Sequence, residues 1–523
     1  MLVDNRSPNE LLSVAVRHHR AGEIDAAEAA YRQILHIAPN HIDSLHLLGL
    51  ISNQRGNHAA AIELIERAIA LKPDVADFRV NCAAALKAAG RLEAAEAQCR
   101  QAIALSPALP KAHYALGATL QQQGRFEPAL DAYRRTLELN PDHAEARSNL
   151  GSTLLELGRV DEAIVEYERG VAARPNSAHA HYNLGLARQE QGRPAEAITC
   201  YRQAIALKPD YADAYWNGAL QHLALGEYPA GWNQYEWRWR RQGYPAQRFA
   251  ERQWDGGNLT GRTILLSAEQ GFGDTFQFIR YAALVKKKGG TVIVECQPEL
   301  KQALAYTAGI DRLVGQGEAV PFDRHAAMLS LPRLLGTDIG SIPADIPYIR
   351  PDPMLATVWR AQIAKGPGLN AGLVWRGNPN NSADRKRSMT AEQVAPLCTV
   401  PGIGWFSLQV DASPAEIAAL SRDGKVRDCG PQLTDWADTA ALISRLDLVV
   451  TVDTAVAHLA GALGKPVWVM LATAPHWSWL REQADSPWYP TARLFRQNRQ
   501  GDWGSVLRAV GQALRATAKG PPE

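Results

Sequence analysis

Asp453, Thr454 and His458 make the chemically most suggestive spacing in the chain. Thr454 and His458 stand four residues apart, so on a helix they share one face and both reach one ligand. Asp453-Thr454 suits a helix N-cap. A helix start there offers free backbone N–H groups and the positive end of the dipole to a phosphate or diphosphate. The alternative is that Asp453 and Thr454 only cap, and His458 is a half-buried side chain with its partners satisfied.

The elements around them follow from the pattern. Leu446–Val452 is an unbroken apolar run, read as a strand buried on both faces. Ala455–Leu463 is rich in Ala and Leu, read as a short helix. Gly464 stands at the C′ position, Pro466 blocks further helix, and Val467–Leu471 is a second apolar strand. This is a strand–helix–strand unit of a parallel sheet, with the helix start at the carboxyl edge where such sheets bind ligands.

Two other loops could carry chemistry. Arg262–Ser267 reads as a buried strand, followed by EQGFGDTFQ at 269–277, where Gly271 and Gly273 permit a tight turn and close ligand approach. Asp274-Thr275 is expected to start a helix running to about Lys288. Asn370–Trp375 reads as a strand, and the loop 376–388 after it is long, polar and basic near its end. Further strands are expected at Thr291–Glu295, Ala327–Leu331, Trp405–Gln409 and Arg493–Gln497, with a last helix at Trp503–Ala516.

The N-terminal half is a repeat array. Gly22, Gly56, Gly90, Gly124, Gly158, Gly192 and Gly226 are spaced by 34 residues, as are the prolines from Pro39 to Pro209. Ala27, Ala61, Ala95, Ala129, Ala163 and Ala197 keep the same register, with Tyr31, Ile65, Cys99, Tyr133, Tyr167, Tyr201 and Tyr235 four residues further on. Each period is a helix pair in which Gly closes the first helix, Ala lets the two approach and Pro ends the second. This period and content resemble the tetratricopeptide repeat, six copies and a partial seventh, stacked into a solenoid with a concave face that binds a protein or peptide. Asn81, Asn149, Asn183 and Asn217 share one repeat position. Side-chain amides both donate and accept, so such a row can hold an extended peptide by its backbone. Asn is also simply a common residue on such faces. The row resembles the asparagine ladder of the O-GlcNAc transferase solenoid.

Between the halves, Trp216, Trp232, Trp237, Trp239 and Trp254 crowd a short stretch, and EWRWRRQ alternates Trp with Arg. Sugar or nucleotide binding is one reading of it. The reading adopted is a rigid joint of large contacts and cation–π pairs.

The 523 residues carry a formal net charge of +2, which does not suit a nucleic-acid binder. MLVDNRSPNELL has neither an apolar core nor a basic start, so no secretory leader is expected, and no apolar run approaches a membrane span. Six scattered cysteines without a C-x-x-C pair argue against zinc or a disulfide framework and suit a reducing, cytoplasmic setting. Asp-x-Asp is absent, so no metal and no resident cofactor are expected. A dinucleotide oxidoreductase is poorly supported, because Phe276 replaces the third glycine of G-x-G-x-x-G.

GFGDT and VDTAVAHLAGALGKPVW together resemble GT-B glycosyltransferases, and within them the heptosyltransferase family (glycosyltransferase family 9), over about residues 260–517. That family carries a G-D turn after its first strand and a late D-[ST]-x-x-x-H-[LI]-A-x-A-x-x-x-P element. The late element is met by Asp453, Thr454, His458, Leu459, Ala460, Ala462 and Pro466. The expected fold is therefore an α-solenoid followed by a GT-B-like pair of Rossmann-like α/β lobes. Its expected divisions are repeats at 8–241, a joint at 242–260, an acceptor-side lobe at 261–352, a nucleotide-sugar lobe at 353–517 and a disordered tail at 518–523.

The resemblance implies metal-independent transfer of a sugar from a nucleotide-sugar donor to a protein or glycan recruited by the repeats. Asp274 matches the family's general base, with a plain N-cap as its alternative, and Asp453, Thr454 and His458 would sit at the diphosphate, with Gly271 and Gly273 as further nucleotide-sugar contacts. The basic loop departs from the family, reading WRGNP…DRKRSM in place of H-P-G…K-x-W-P. Arg385, Lys386 or Arg387 would supply the phosphate-binding cation, with Asn378 and Gln409 as further donor contacts. Donor, sugar and acceptor stay open, as does oligomerisation. A scaffold with degenerate lobes is the competing reading.

Overall fold

The structure, a computed structural model, describes residues 7–363, 368–379, 384–421 and 426–518, except the side chain of Arg385. The chain divides into two compact units, Met1–Ala187 and Arg188–Glu523. Of the expected tail, residues 519–523 lie outside the described residues.

The first unit is helical: α1 (Pro8–Arg20), α2 (Ile24–Ile37), α3 (Ile42–Gln54), α4 (His58–Leu71), α5 (Ala76–Ala88), α6 (Leu92–Leu105), α7 (Pro110–Gln122), α8 (Phe126–Leu139), α9 (Ala144–Glu156), α10 (Val160–Ala173) and most of α11 (Ala178–Glu190). The same pairing continues in the second unit with α12 (Pro194–Leu207), α13 (Ala212–Ala224) and α14 (Tyr228–Tyr235). The seven periodic glycines all take φ between 74° and 80°, the left-handed conformation that closes a helix without a Cβ clash. The six periodic alanines are completely buried, as the close approach of paired helices requires.

The α/β part of the second unit holds two parallel sheets. The smaller has the order β3-β2-β1-β4, with β1 (Thr263–Ser267), β2 (Thr291–Cys296), β3 (Arg312–Gly315) and β4 (Arg324–Ala327). Its helices are α15 (Phe272–Phe278), α16 (Ala282–Lys286) and α17 (Leu331–Leu334). The larger has the order β10-β9-β8-β5-β6-β7, with β5 (Leu369–Val374), β6 (Ile403–Ser407), β7 (Val426–Asp428), β8 (Leu448–Val452), β9 (Val467–Leu471) and β10 (Ala492–Arg496). Around it lie α18 (Pro353–Gln362), α19 (Asp384–Arg387), α20 (Ala391–Cys398), α21 (Pro414–Leu420), α22 (Trp436–Ile443), α23 (Ala455–Ala462) and α24 (Trp503–Ala518). The molecule is thus a repeat solenoid followed by a GT-B-like pair of α/β lobes. One apolar core runs from Leu223, Tyr228 and Trp232 of the last repeat hairpin through both sheets.

Three local expectations need correction. The fourth strand of the smaller sheet is Arg324–Ala327, not Ala327–Leu331; Met328–Ser330 is a 3-10 turn whose Leu329 N–H donates to the Glu269 carboxylate. The helix expected from Asp274 to about Lys288 starts earlier, at Phe272, and is broken by a 3-10 turn at Ile279–Tyr281, where the Arg280 side chain turns back onto the Gln277 carbonyl. The N-cap of α23 is Thr454, which makes no side-chain cap bond, and Asp453 is not a cap at all.

Candidate functional site

Strand order places the motif loops. In the larger sheet the order reverses between β5 and β8, so the crevice opens between the loop after β5 and the Asp453-Thr454 turn after β8. In the smaller sheet it reverses between β1 and β4, beside the Gly271–Asp274 turn. The two motif helices, α15 and α23, pack against each other. At the crossing, a Cβ on Gly273 would lie 2.9 Å from His458 Cδ2 and 3.5 Å from Ala455 Cα. Gly273 is therefore a close-packing residue. Gly273→Ala is expected to lower stability by about 1–3 kcal/mol, because buried His458 cannot give way, and denaturant unfolding measures it.

Asp453 is 6% exposed and both of its carboxylate oxygens are engaged. Oδ1 accepts from Trp479 Nε1 at 2.8 Å and Oδ2 from His476 N at 3.2 Å. It braces the 476–479 turn through both oxygens. His458 shares Thr454's helix face but does not line an open cleft. It is 6% exposed, stacks on Trp479 with ring centroids 5.1 Å apart, and shares a 2.9 Å hydrogen bond between Nδ1 and the Tyr489 hydroxyl. Burial lowers its pKa to about 3, so the ring stays neutral and serves packing between the lobes. Thr454 is half-buried, with its hydroxyl 3.1 Å from that of Thr451.

Asp274 is half-buried in the first turn of α15, where its Oδ2 accepts the Gly271 N–H at 3.0 Å. Burial pushes its carboxyl above the usual range; His476 opposes that rise and the Asp453 charge adds to it. Asp274, Asp453, His458 and His476 thus form one electrostatic cluster at the meeting of α15 and α23. Arg280, 3% exposed, underlies it. Its guanidinium donates to the Trp488 carbonyl at 2.7 Å and the Tyr348 hydroxyl at 2.8 Å, and lies 4.8 Å from the Tyr489 ring centre. The sequence reading missed the roles of Arg280, His476, Trp479 and Tyr489. The signal available was the aromatic density of PHWSW and SPWYP in the loop after β9.

The basic loop sorts its candidates. Lys386 Nζ donates to Glu190 at 2.7 Å, and the side chain of Arg385 lies outside the described residues. Arg387 is held on the buried Asp384 carboxylate at 3.2 Å and acts electrostatically on His458, which puts it near the cluster. Gln409 belongs to a separate network: Oε1 accepts from Arg376 N at 3.4 Å and Nε2 donates to Asp411 at 2.7 Å. Asn378 is exposed on the loop after β5. Among the described residues no three His, Cys, Asp or Glu side chains group as metal ligands would, and no helix is long and apolar enough to cross a membrane.

The Trp/Arg segment packs within the second unit through stacked rings and cation–π pairs. Trp237 stacks on Tyr215 at 3.8 Å, Arg240 lies 4.5 Å over Trp237 and Arg238 lies 4.3 Å over Trp239. Arg238, with no exposed side-chain surface, grips Glu269 through Nε and Nη2 at 3.0 and 3.1 Å and donates to Ser330 at 2.7 Å. Gln270, next to the Gly271 turn, donates to the hydroxyl of Tyr235 at 3.2 Å. The last repeat hairpin therefore buttresses the turn that carries Asp274.

Along the repeats, three amides of the Asn row tie one repeat to the one before. Asn81 bonds His46 at 2.7 Å, Asn149 donates to Tyr114 at 3.4 Å and Asn183 donates to Ser148 at 2.7 Å, each partner 35 residues earlier. Asn183 is buried, whereas Asn81, Asn149 and Asn217 are half-buried.

Tetratricopeptide-repeat models match residues 42–75, 83–124, 114–179 and 178–211. The model of glycosyltransferase family 9 (heptosyltransferase) matches residues 415–496, which include Asp453, Thr454, His458 and His476 but not Asp274 or Arg387. The chain is 29% identical over 320 residues to Protein FlbA of Caulobacter vibrioides (strain ATCC 19089 / CIP 103742 / CB 15), across 56% of this chain and 53% of that protein. It thus spans about half the length of that relative. Among solved structures, YrrB, described as a TPR protein with an unusual peptide-binding site, is 20% identical with TM-score 0.30, over 35% of this chain and 95% of its own. A tetratricopeptide repeat protein from Parabacteroides merdae ATCC 43184 is 18% identical with TM-score 0.39, over 45% and 93%.

Proposed function

We propose that this chain, a tetratricopeptide-repeat protein whose second half carries a family 9 glycosyltransferase segment, transfers a sugar from a nucleotide-sugar donor to a protein or glycan recruited by its repeats. The observation that carries the reading is the convergence of Asp274 and the start of α23 where α15 and α23 cross. Asp274 takes the proton of the acceptor hydroxyl as that oxygen attacks the sugar's anomeric carbon. The bond to the donor diphosphate breaks, and the diphosphate leaves with the electron pair. The N-terminal end of α23 with Thr454, and Arg387 held by Asp384, stabilise its charge. Thr454 lies inside the family 9 match, and the switch points of both sheets open on this place.

The same reading takes 8–241 as the recruiting array, 242–260 as the joint, 261–352 as the acceptor lobe and 353–517 as the donor lobe. The row at Asn81, Asn149, Asn183 and Asn217 is the peptide-binding surface, with Asn183 contributing least because it is buried.

A thermal-shift screen of the full chain against UDP, GDP, ADP, CMP and their sugars tests this. A ligand of the folded state adds about 2.7 kcal/mol at a hundredfold excess over Kd. One diphosphate nucleotide is expected to raise Tm in the wild type and not in Arg387→Ala. No shift with any of them in the folded wild type favours the scaffold reading.

A further inference from the structure

We propose that His476 is a second functional group of this site, donating a hydrogen bond from Nε2 to the leaving diphosphate as Asp274 receives the acceptor's proton. The inference rests on the donor site placed at α23. His476 is built in. Its backbone N–H is held by Asp453, its Nδ1 lies 2.8 Å from the hydroxyl of fully buried Ser478, and its ring packs against Trp477 with centroids 5.0 Å apart. The turn is anchored in turn by Trp479 on Asp453 and by Arg496 Nη2 donating to the Trp479 carbonyl at 2.6 Å.

Fixing Nδ1 leaves Nε2 as the ring's working edge. Nε2 makes no hydrogen bond to a described residue and is not sealed from solvent. The ring stands beside the start of α23, 6.4 Å from the His458 ring, and within electrostatic reach of Asp274 on the facing helix. A half-buried imidazole with one nitrogen pinned and the other free, flanked by two carboxylates, is suited to carrying a proton toward a diphosphate. With the imidazolium form, Nδ1–H donates to Ser478 and Nε2–H to the phosphate oxygen. Asp453 then acts indirectly: it positions His476 and does not touch the ligand.

The assignment predicts that the protonated ring binds a diphosphate more tightly than the neutral one, so affinity rises as the ring gains its proton. The groups facing His476 are Asp274 from α15, Asp453 before α23 and His458 on α23, and Arg387 of α19 acts on His458. His458 is held neutral by burial, which lowers its pKa to about 3. The diphosphate's own last ionisation is common to every variant.

Calorimetric titration of the full chain with UDP, GDP and ADP at about pH 6 and about pH 8 reads the effect. His476→Asn is expected to bind the preferred diphosphate about tenfold more weakly at the lower pH and to lose the part of the pH dependence that the wild type shows beyond the ligand's own. His476→Lys, a permanent cation, restores affinity without that pH dependence. An Asn variant with wild-type affinity and pH profile overturns the inference, and if Arg387→Ala still abolishes binding, the donor-site reading survives it. Failure of the wild type to bind any of the three overturns both.

Discussion

Asp274→Asn is expected to reduce sugar transfer by about 10²–10⁴-fold, the usual contribution of a positioned general base. The amide oxygen of Asn can still accept the Gly271 N–H, so the α15 turn keeps its bond. Stability moves the other way. The folded carboxyl titrates above its ordinary value because burial penalises the charged form. The folded state therefore holds that proton more tightly than the unfolded chain does, and stability is lost as pH rises through the window between the two values. Asn removes that loss, so the variant is expected to be at least as stable as the wild type at neutral pH while nearly inactive. Rate and denaturant unfolding measured on the same preparation check both halves. A variant with wild-type turnover removes Asp274 from the chemistry.

Arg238→Met is expected to cost about 3–5 kcal/mol, because it strands the buried Glu269 carboxylate without its counter-charge. Surface pairs such as Lys301–Glu318, with both side chains well exposed, contribute at most about 1 kcal/mol by comparison. Burial already pushes the Glu269 carboxyl up despite Arg238 beside it, and removing the arginine leaves only the Leu329 N–H and the Tyr244 hydroxyl as donors to it. Combining Arg238→Met with Glu269→Gln should recover part of the loss, since a neutral amide tolerates the site better than a lone carboxylate. Chemical unfolding of the wild type, both single variants and the double variant reads the coupling. A loss below about 1 kcal/mol in Arg238→Met would mean that the pair is solvated and the joint is not rigid.

The repeats were legible because their period is written at several positions at once, and each residue type has a local cause: the positive φ of Gly22 to Gly226, the buried Ala27 to Ala197. The β8–α23–β9 unit was legible for the same reason, with a buried strand, a helix and a Gly464 stop following in order. Roles decided by distant partners were not. Asp453 precedes a helix as a cap would, but its donors are 23 and 26 residues downstream. Arg280 looks like an ordinary charge in a helix, yet two of its acceptors lie 68 and 208 residues away, and it stands in the 3-10 turn that interrupts the helix. Arg385, Lys386 and Arg387 are equivalent on paper. Lys386 is drawn to Glu190, 196 residues earlier, and Arg387 to Asp384, three residues earlier.

The most direct measurement is release of nucleoside phosphate from UDP-, GDP-, ADP- and CMP-sugars by the full chain, with and without added protein and glycan acceptors, in the wild type, Asp274→Asn and Arg387→Ala. The account predicts acceptor-stimulated release from one diphosphate-sugar class by the wild type and its near loss in both variants. Release from none of the donors by folded wild type, or equal release by Asp274→Asn, would contradict it.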